Sequence, residues 1–324
     1  MSQIQPITLG KHTFPINLIQ GPLAGISCAP FRYLTWKYSQ PAYTCTEMMS
    51  CKTILQQNRS VQKRYLTKAN GEGPVCFQLS GDDPKELGEA TKIVTDHGAD
   101  LIDLNCGCPV KKIRSKGAGS RLLMEPAKLY ALIHAMKQHT HLPVSIKIRV
   151  ENQHEKSNAE IANVVRDAGA DFLVVHGRHW TEHYETPCRY DDIRYFVTEL
   201  NIPIIGNGDI ACTESLKKMF ATGCAGVMIG RAGVGQPWLI KKLIAEMSHK
   251  NFTPLTASEI AAVFMTHVNQ LAELLGNEKF ALLQARKFAK YYARQLPDRA
   301  AFCAAMNTCE DITTANDVCL RYFE

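Results

Sequence analysis

From residue 16 to about residue 240, short apolar runs rich in β-branched residues alternate with amphipathic stretches of helical period. The apolar runs fall at 16–20, 43–48, 75–79, 101–105, 144–149, 172–176, 202–206 and 226–229. Several are apolar along their whole length, as parallel strands covered by helices are. Stretches of helical period at 85–97, 126–139, 158–168 and 214–222 lie between them. Gly98-Ala99-Asp100, Gly169-Ala170-Asp171 and Gly223-Cys224-Ala225 each end a helix just before a strand. Eight such units in succession predict an α/β fold, a (β/α)8 TIM barrel. An open doubly wound sheet fits the same pattern, because periodicity does not report closure. Residues 7–14 predict a short hairpin ahead of the first barrel strand.

The alternation stops near residue 245. Residues 257–276, 279–296, 298–309 and 314–323 read as helices, separated by Gly276-Asn277 and by Leu296-Pro297-Asp298. The prediction is a barrel domain over 1–245 and a small all-helical domain over 246–324. No low-complexity linker separates the two, so they should pack directly.

Composition narrows this picture. A chain of 324 residues, 45% hydrophobic and 21% charged, buries a sizeable core without covalent staples. No apolar run approaches about 18 residues, so no membrane span is expected. Residues 1–10 lack the basic and apolar segments of an export signal, which points to the cytoplasm. The 12 cysteines are scattered and include no CxxC pair. Reduced, mostly buried thiols are expected, and no metal site. The net charge of +6 leaves room for a polyanionic partner.

In such a barrel the active site forms at the C-terminal ends of the strands. The residues there are Gln20-Gly21-Pro22, Glu47, Gln78, Asn105 to Cys108, Lys147, Arg149, His176 to Arg178, Asn207 to Asp209, and Gly230-Arg231. Most are costly to bury alone, so their convergence on one rim predicts a polar ligand site. Loops after the seventh and eighth strands are the usual phosphate site of these barrels. There Gly208 and Gly230 would admit phosphate oxygens to the backbone and Arg231 would neutralise them. Lys147 and Arg149 are two apart on one strand and point the same way, so they require an anion or an electron-rich ring between them. His176 ends its strand beside Gly177, with space for a ligand.

Asn105-Cys106-Gly107-Cys108-Pro109 ends the fourth strand and enters a basic loop with Lys111, Lys112, Arg114 and Lys116. Cys106 reads as a packing residue. Cys108 reads as nucleophile, redox thiol or proton donor, and the local chemistry does not choose among the three.

The chain resembles the tRNA-dihydrouridine synthase family, and within it the bacterial B-type branch. The resemblance rests on motifs in order along nearly the whole chain. These are Gly21-Pro22-Leu23-Ala24-Gly25-Ile26, Thr46-Glu47-Met48-Met49-Ser50, Gln78-Leu79-Ser80-Gly81, Asn105-Cys106-Gly107-Cys108-Pro109 and Lys111-Lys112. Lys147-Ile148-Arg149, His176-Gly177-Arg178, Asn207-Gly208-Asp209 and Ile229-Gly230-Arg231 complete the set. Leu23 and Cys106 stand where methionine is frequent in the family, and both exchanges keep an apolar side chain.

The resemblance implies FMN as cofactor and NADPH as reductant. Pro22, Leu23 and Ala24 would line one side of the flavin. Gln78, Lys147 and His176 would contact its ring, and Asn207, Gly208, Asp209, Gly230 and Arg231 its ribityl phosphate. The substrate implied is a D-loop uridine of tRNA, at position 17 by branch similarity. Hydride would pass from flavin N5 to C6, with Cys108 protonating C5. Asn105, Arg149 and Arg178 would contact the uridine. Arg286, Lys287 and Lys290 would meet tRNA phosphates, and Arg286, Lys290 and Arg294 share one helical face by spacing. A monomer is implied. An FMN enzyme acting on a free pyrimidine base, and an inactive tRNA-binding protein, are the alternatives.

Overall fold

The computed structural model describes residues 3–56, 58–151 and 155–323. Strands β1 (Ile7–Leu9) and β2 (His12–Phe14) form the antiparallel hairpin expected over 7–14. Next come β3 (Leu18–Gln20), β4 (Thr44–Cys45) and β5 (Met49–Ser50). They are followed by β6 (Val75–Ser80), β7 (Leu101–Cys106), β8 (Val144–Arg149), β9 (Phe172–His176), β10 (Ile204–Asn207) and β11 (Gly226–Ile229). Parallel pairing runs β6 to β11 in order, then β11 to β3, β3 to β4 and β4 back to β6. The ring is closed, so the open doubly wound alternative is excluded. The predicted second strand, 43–48, divides into β4 and β5, both paired to β6.

Helices α1 (Ala29–Ser39), α2 (Cys51–Leu55), α3 (Arg59–Leu66), α4 (Pro84–Asp96), α5 (Lys111–Arg114) and α6 (Pro126–His139) follow the earlier strands. After β8 come α7 (Glu155–Asp167), α8 (Tyr190–Glu199), α9 (Thr213–Phe220) and α10 (Leu239–Met247). The recurring glycine motif has a physical basis. Gly98, Gly169 and Gly223 take φ of +85°, +76° and +87°, a conformation open to glycine and strained for other residues. The aspartates two residues on then join neighbouring strands. Asp100 accepts from the Val75 amide and from Lys68, and Asp171 from the Val144 amide and from Lys137. The third repeat has Ala225 at this position and lacks the device.

The end of the barrel with the strand N-termini is filled with apolar side chains. Phe14, Tyr43 and Phe172 pack in series, with ring centroids 5.8 and 6.3 Å apart. Losing one such ring costs roughly 3–5 kcal/mol. With that end plugged, a ligand must enter from the other.

Beyond the barrel lie α11 (Ala257–Leu275), α12 (Glu278–Tyr292), α13 (Arg299–Thr308) and α14 (Ile312–Phe323). Thr256 and Glu259 close a capping box at the start of α11, and Gly276 ends it at φ +62°. Phe264 packs against Phe288, Tyr292 and Phe302. This second apolar core is continuous with Phe31 and Leu34 of α1 and with Trp238. Among the described residues no helix is long and apolar enough to cross a membrane.

Candidate active site at the mouth of the barrel

The strand ends and their loops enclose a cavity of about 680 Å³, within the size range of cofactor and substrate pockets. Every barrel residue singled out for cofactor, substrate or proton transfer lines it. The loop after β3 brings Pro22, Leu23 and Ala24, and β6 brings Gln78. Strand β7 and its loop bring Asn105 and Cys108, and β8 brings Lys147 and Arg149. Strands β9 and β10 with their loops, and the loop after β11, bring His176 and Arg178, Asn207 to Asp209, and Gly230 and Arg231. The period-two rule explains the β8 pair, since Lys147 and Arg149 both turn inward while Ile148 is buried outside.

The mouth is rich in cations. Lys147 donates to Asn207 Oδ1 at 2.9 Å, and Arg149 donates to the His179 carbonyl at 2.9 Å. Burial, and Arg149 beside it, push the Lys147 ammonium below its ordinary value, while Asp103 pulls the other way. Burial also pushes His176 down, to about 2, with Lys147, Arg149, Arg178 and Arg231 adding to the effect. Its imidazole is therefore neutral at physiological pH. The carboxylate that looks free to compensate, Asp209, is engaged. Arg178 donates to both of its oxygens at 2.6 Å, and the Cys188 amide adds a third bond at 3.0 Å. The arrangement suits an anionic ligand.

The glycine rim accommodates such a ligand. Gly208 takes φ +134°, and a Cβ there would lie 2.6 Å from Cys188 Sγ. A Cβ on Gly230 would meet nothing, so the backbone faces open cavity. The Arg231 guanidinium lies 3.6 Å from the Tyr184 ring centroid, and Arg149 approaches the same ring at 5.7 Å.

Cys108 sits on the opposite wall, half-buried. Its amide donates to Asn105 Oδ1 at 2.9 Å, and its carbonyl accepts from the Ser120 amide and hydroxyl. Gly119, at φ +61°, permits that close packing, since a Cβ would come within 2.7 Å of the Cys108 carbonyl. Burial raises the thiol above its ordinary value. A backbone hydrogen bond near Val110 and the charge of Arg149 oppose the rise without cancelling it. The thiol is protonated at neutral pH, which favours proton donor over nucleophile. Cys106 is fully buried, as read from the sequence.

Several sequence expectations change. Glu47 turns away from the cavity, accepts from the Gly25 amide and pairs with Arg64. Gln20 is buried beneath the rim and donates to the Ile229 carbonyl. Arg178, expected on the substrate side, lines the cavity, while its guanidinium bonds Asp209 and the Thr186 and Tyr184 carbonyls and its side chain is almost wholly buried. It braces the loop after β9. The basic face expected over 286–294 also divides. Arg286 donates to the Cys309 carbonyl at the end of α13, and Arg294 to the carbonyls of Val234 and Tyr291. Lys287 and Lys290 remain exposed, and the Lys287 ammonium lies against Gly25 at the barrel rim.

Tyr184 and Asp103 were missed. Tyr184 lies in the long loop after β9, and loop length is the one sequence signal that points to it. Asp103 is two residues before Asn105 on the same strand face, so the period-two rule already placed it inside. Among the described residues no cluster of metal-ligating side chains occurs.

The dihydrouridine synthase (Dus) family profile matches residues 19–323. The chain is similar to the tRNA-dihydrouridine synthase B of Vibrio cholerae, 31% identical over 319 residues and covering 98% of each chain. It is 32% identical to that of Escherichia coli K12 over 321 residues, again 98% of each. The Pseudomonas aeruginosa protein of the same name is 31% identical over 322 residues, 98% of this chain and 95% of that one. Among solved structures, a morphinone reductase mutant in complex with tetrahydroNAD shares the fold. Its TM-score is 0.57 at 11% identity, over 75% of this chain and 90% of that one.

Proposed function

The chain belongs to the dihydrouridine synthase family and is a flavin-dependent oxidoreductase, and from that premise we propose that it reduces the C5=C6 bond of a D-loop uridine in tRNA to 5,6-dihydrouridine, with FMN as cofactor and NADPH as reductant. The observation that carries the reading is the placement of a protonated Cys108 thiol in one cavity with Lys147, Arg149, His176 and the Gly208 and Gly230 rim. The residues present fit FMN. Uncompensated cations suit a phosphate and an electron-rich ring, the glycine rim admits phosphate oxygens, and Pro22, Leu23 and Ala24 offer an apolar flank.

In this reading Asn207 to Asp209, Gly230 and Arg231 hold the phosphate end, and Gln78, Lys147 and His176 the ring. FMN held there and reduced by NADPH would supply the hydride for C6 of the uracil. Cys108 delivers its proton to C5, a general-acid role. Arg149 stabilises the negative charge that develops on the uracil, and Asn105 orients the base. A uridine reaches this depth only when turned out of its stack. Residues 246–324 form the tRNA-gripping part, with Lys287 and Lys290 on phosphates. The favoured target is position 17, and the enzyme acts as a cytoplasmic monomer.

The test is NADPH-dependent product formation on unmodified tRNA and, in parallel, on free uracil. Dihydrouridine in tRNA is expected. Turnover of the free base alone would overturn the reading in favour of a pyrimidine dehydrogenase. A purified protein that takes up no flavin would favour a binding protein without catalysis.

A further inference from the structure

One ionisable group next to the cavity has no part in the chemistry above. Asp103 is 3% exposed inside the barrel. It accepts from the Ser145 hydroxyl at 2.6 Å and from Gln78 Nε2 at 2.7 Å. Gln78 Oε1 in turn accepts from Asn105 Nδ2 at 2.9 Å. Asn105 Oδ1 then accepts from the Gly107 and Cys108 amides at 3.3 and 2.9 Å. This is one unbroken chain from a buried carboxylate to the backbone of Cys108.

The direction of that chain is fixed at both ends, by the carboxylate and by the Gly107 and Cys108 amides, which only donate. An ionised carboxylate only accepts, whereas each amide side chain both donates and accepts. Gln78 must therefore turn its NH2 toward Asp103 and its oxygen toward Asn105. Asn105 must then spend its NH2 on Gln78 and aim its oxygen at the Cys108 turn. With either amide reversed, two donors or two acceptors would face each other in a buried place, which costs more than the bond gains.

We propose that Asp103 is a positioning residue for Cys108: its buried acceptor oxygen anchors Gln78, and through it Asn105, and so holds the turn that aims the thiol into the cavity. The proposal deepens the general-acid reading and rests on it for its consequence in catalysis. The hydrogen-bond relay itself does not depend on that reading. It also gives the strand motif Asp103-Leu104-Asn105 a single purpose, because period two places both polar residues inside the barrel.

The experiment measures alkylation of Cys108 by iodoacetamide in the flavin-free protein, resolved by peptide mass spectrometry from the other thiols. Asp103→Leu removes the acceptor that Gln78 bonds. Gln78 then loses its anchor and Asn105 a fixed partner, the Cys108 turn loosens, and alkylation is expected to rise about tenfold, the equivalent of one lost hydrogen bond. Asp103→Asn keeps an acceptor oxygen for Gln78 and a donor for the Ser145 oxygen, so the wild-type rate should be kept. A wild-type rate in Asp103→Leu, or a tenfold rise in Asp103→Asn, overturns the proposal. Should Asp103→Leu cost the fold, Gln78→Met breaks the same relay one link along and is expected to accelerate alkylation about tenfold. An unchanged rate there would overturn the proposal. Failure of the general-acid reading would show separately, as undiminished product formation by a Cys108→Ala variant whose alkylation-controlled relatives behave as stated.

Discussion

The barrel mouth and the helical end both carry cations that the sequence marks as functional, and they use them differently. At the mouth, Lys147, Arg149 and Arg231 all line the cavity. Along α12 and the turn after it, Arg286 and Arg294 bond backbone carbonyls of neighbouring segments, while Lys287 and Lys290 stay exposed. A strand in a closed barrel has an inside and an outside, so alternation fixes where a side chain points. A helix face specifies an azimuth and says nothing of what packs against it. Arginine, with its fork of donors, is readily recruited to satisfy carbonyls at element ends, while lysine extends into solvent.

The largest effect should fall on the mouth. Cys108→Ala is expected to keep flavin and tRNA binding and to lower product formation by on the order of 10²–10⁴, the usual contribution of a general acid. Single-turnover product formation on unmodified tRNA measures it. Gly208→Ala should follow. Its φ of +134° and the Cys188 Sγ at 2.6 Å leave no room for a methyl group, so flavin retention should drop, with a loss of roughly 1–3 kcal/mol in stability. Flavin content after gel filtration, with a melting curve, reports both.

The helical end should respond to acid. His267 is wholly buried, stacked on Phe288 at 4.1 Å, and burial pushes its imidazole down to about 3. A folded-state value below the unfolded one means that its contribution is complete above about pH 6.5 and is lost as pH falls toward 3. The loss between pH 7 and pH 5 should be about 2 kcal/mol, and His267→Gln should flatten that slope in denaturant titrations. The smallest effects separate the two kinds of cation along α12 and the turn after it. Lys287→Ala and Lys290→Ala should each reduce the salt dependence of tRNA binding by about one phosphate contact, with stability unchanged. Arg294→Ala should lower stability with little change in that slope. The reverse result would erase the distinction drawn between the two regions.

The fold was legible because its signals are local and repeated. Eight apolar runs, three glycine punctuations and a late change to helical period all have counterparts in the structure. Most of the site was legible for the same reason, since Gln78, Asn105, Lys147 and His176 occupy inward positions near strand ends. What escaped depends on contacts between distant segments. Glu47 pairs with Arg64, Arg178 with Asp209, and Arg286 with the end of α13, and no spacing within one element records such partners. Tyr184 entered the cavity through the course of a long loop. Asp103, two residues before Asn105 on the same face, lies below the strand end, where an inward position alone marks no role.

The central claim is that Cys108 acts in its protonated form at the mouth of the barrel. It is tested most directly by the pH dependence of single-turnover reduction of unmodified tRNA by the pre-reduced enzyme. Burial raises the folded-state thiol above its ordinary value, so the proton donor persists through neutral pH and is lost only as pH rises through that raised value. The account predicts a rate governed by the thiol that is level through neutrality, declines on the alkaline side above the ordinary thiol range, and loses that limb in Cys108→Ala. A rate that climbs with pH as thiolate forms, or a limb unchanged in the variant, would contradict it.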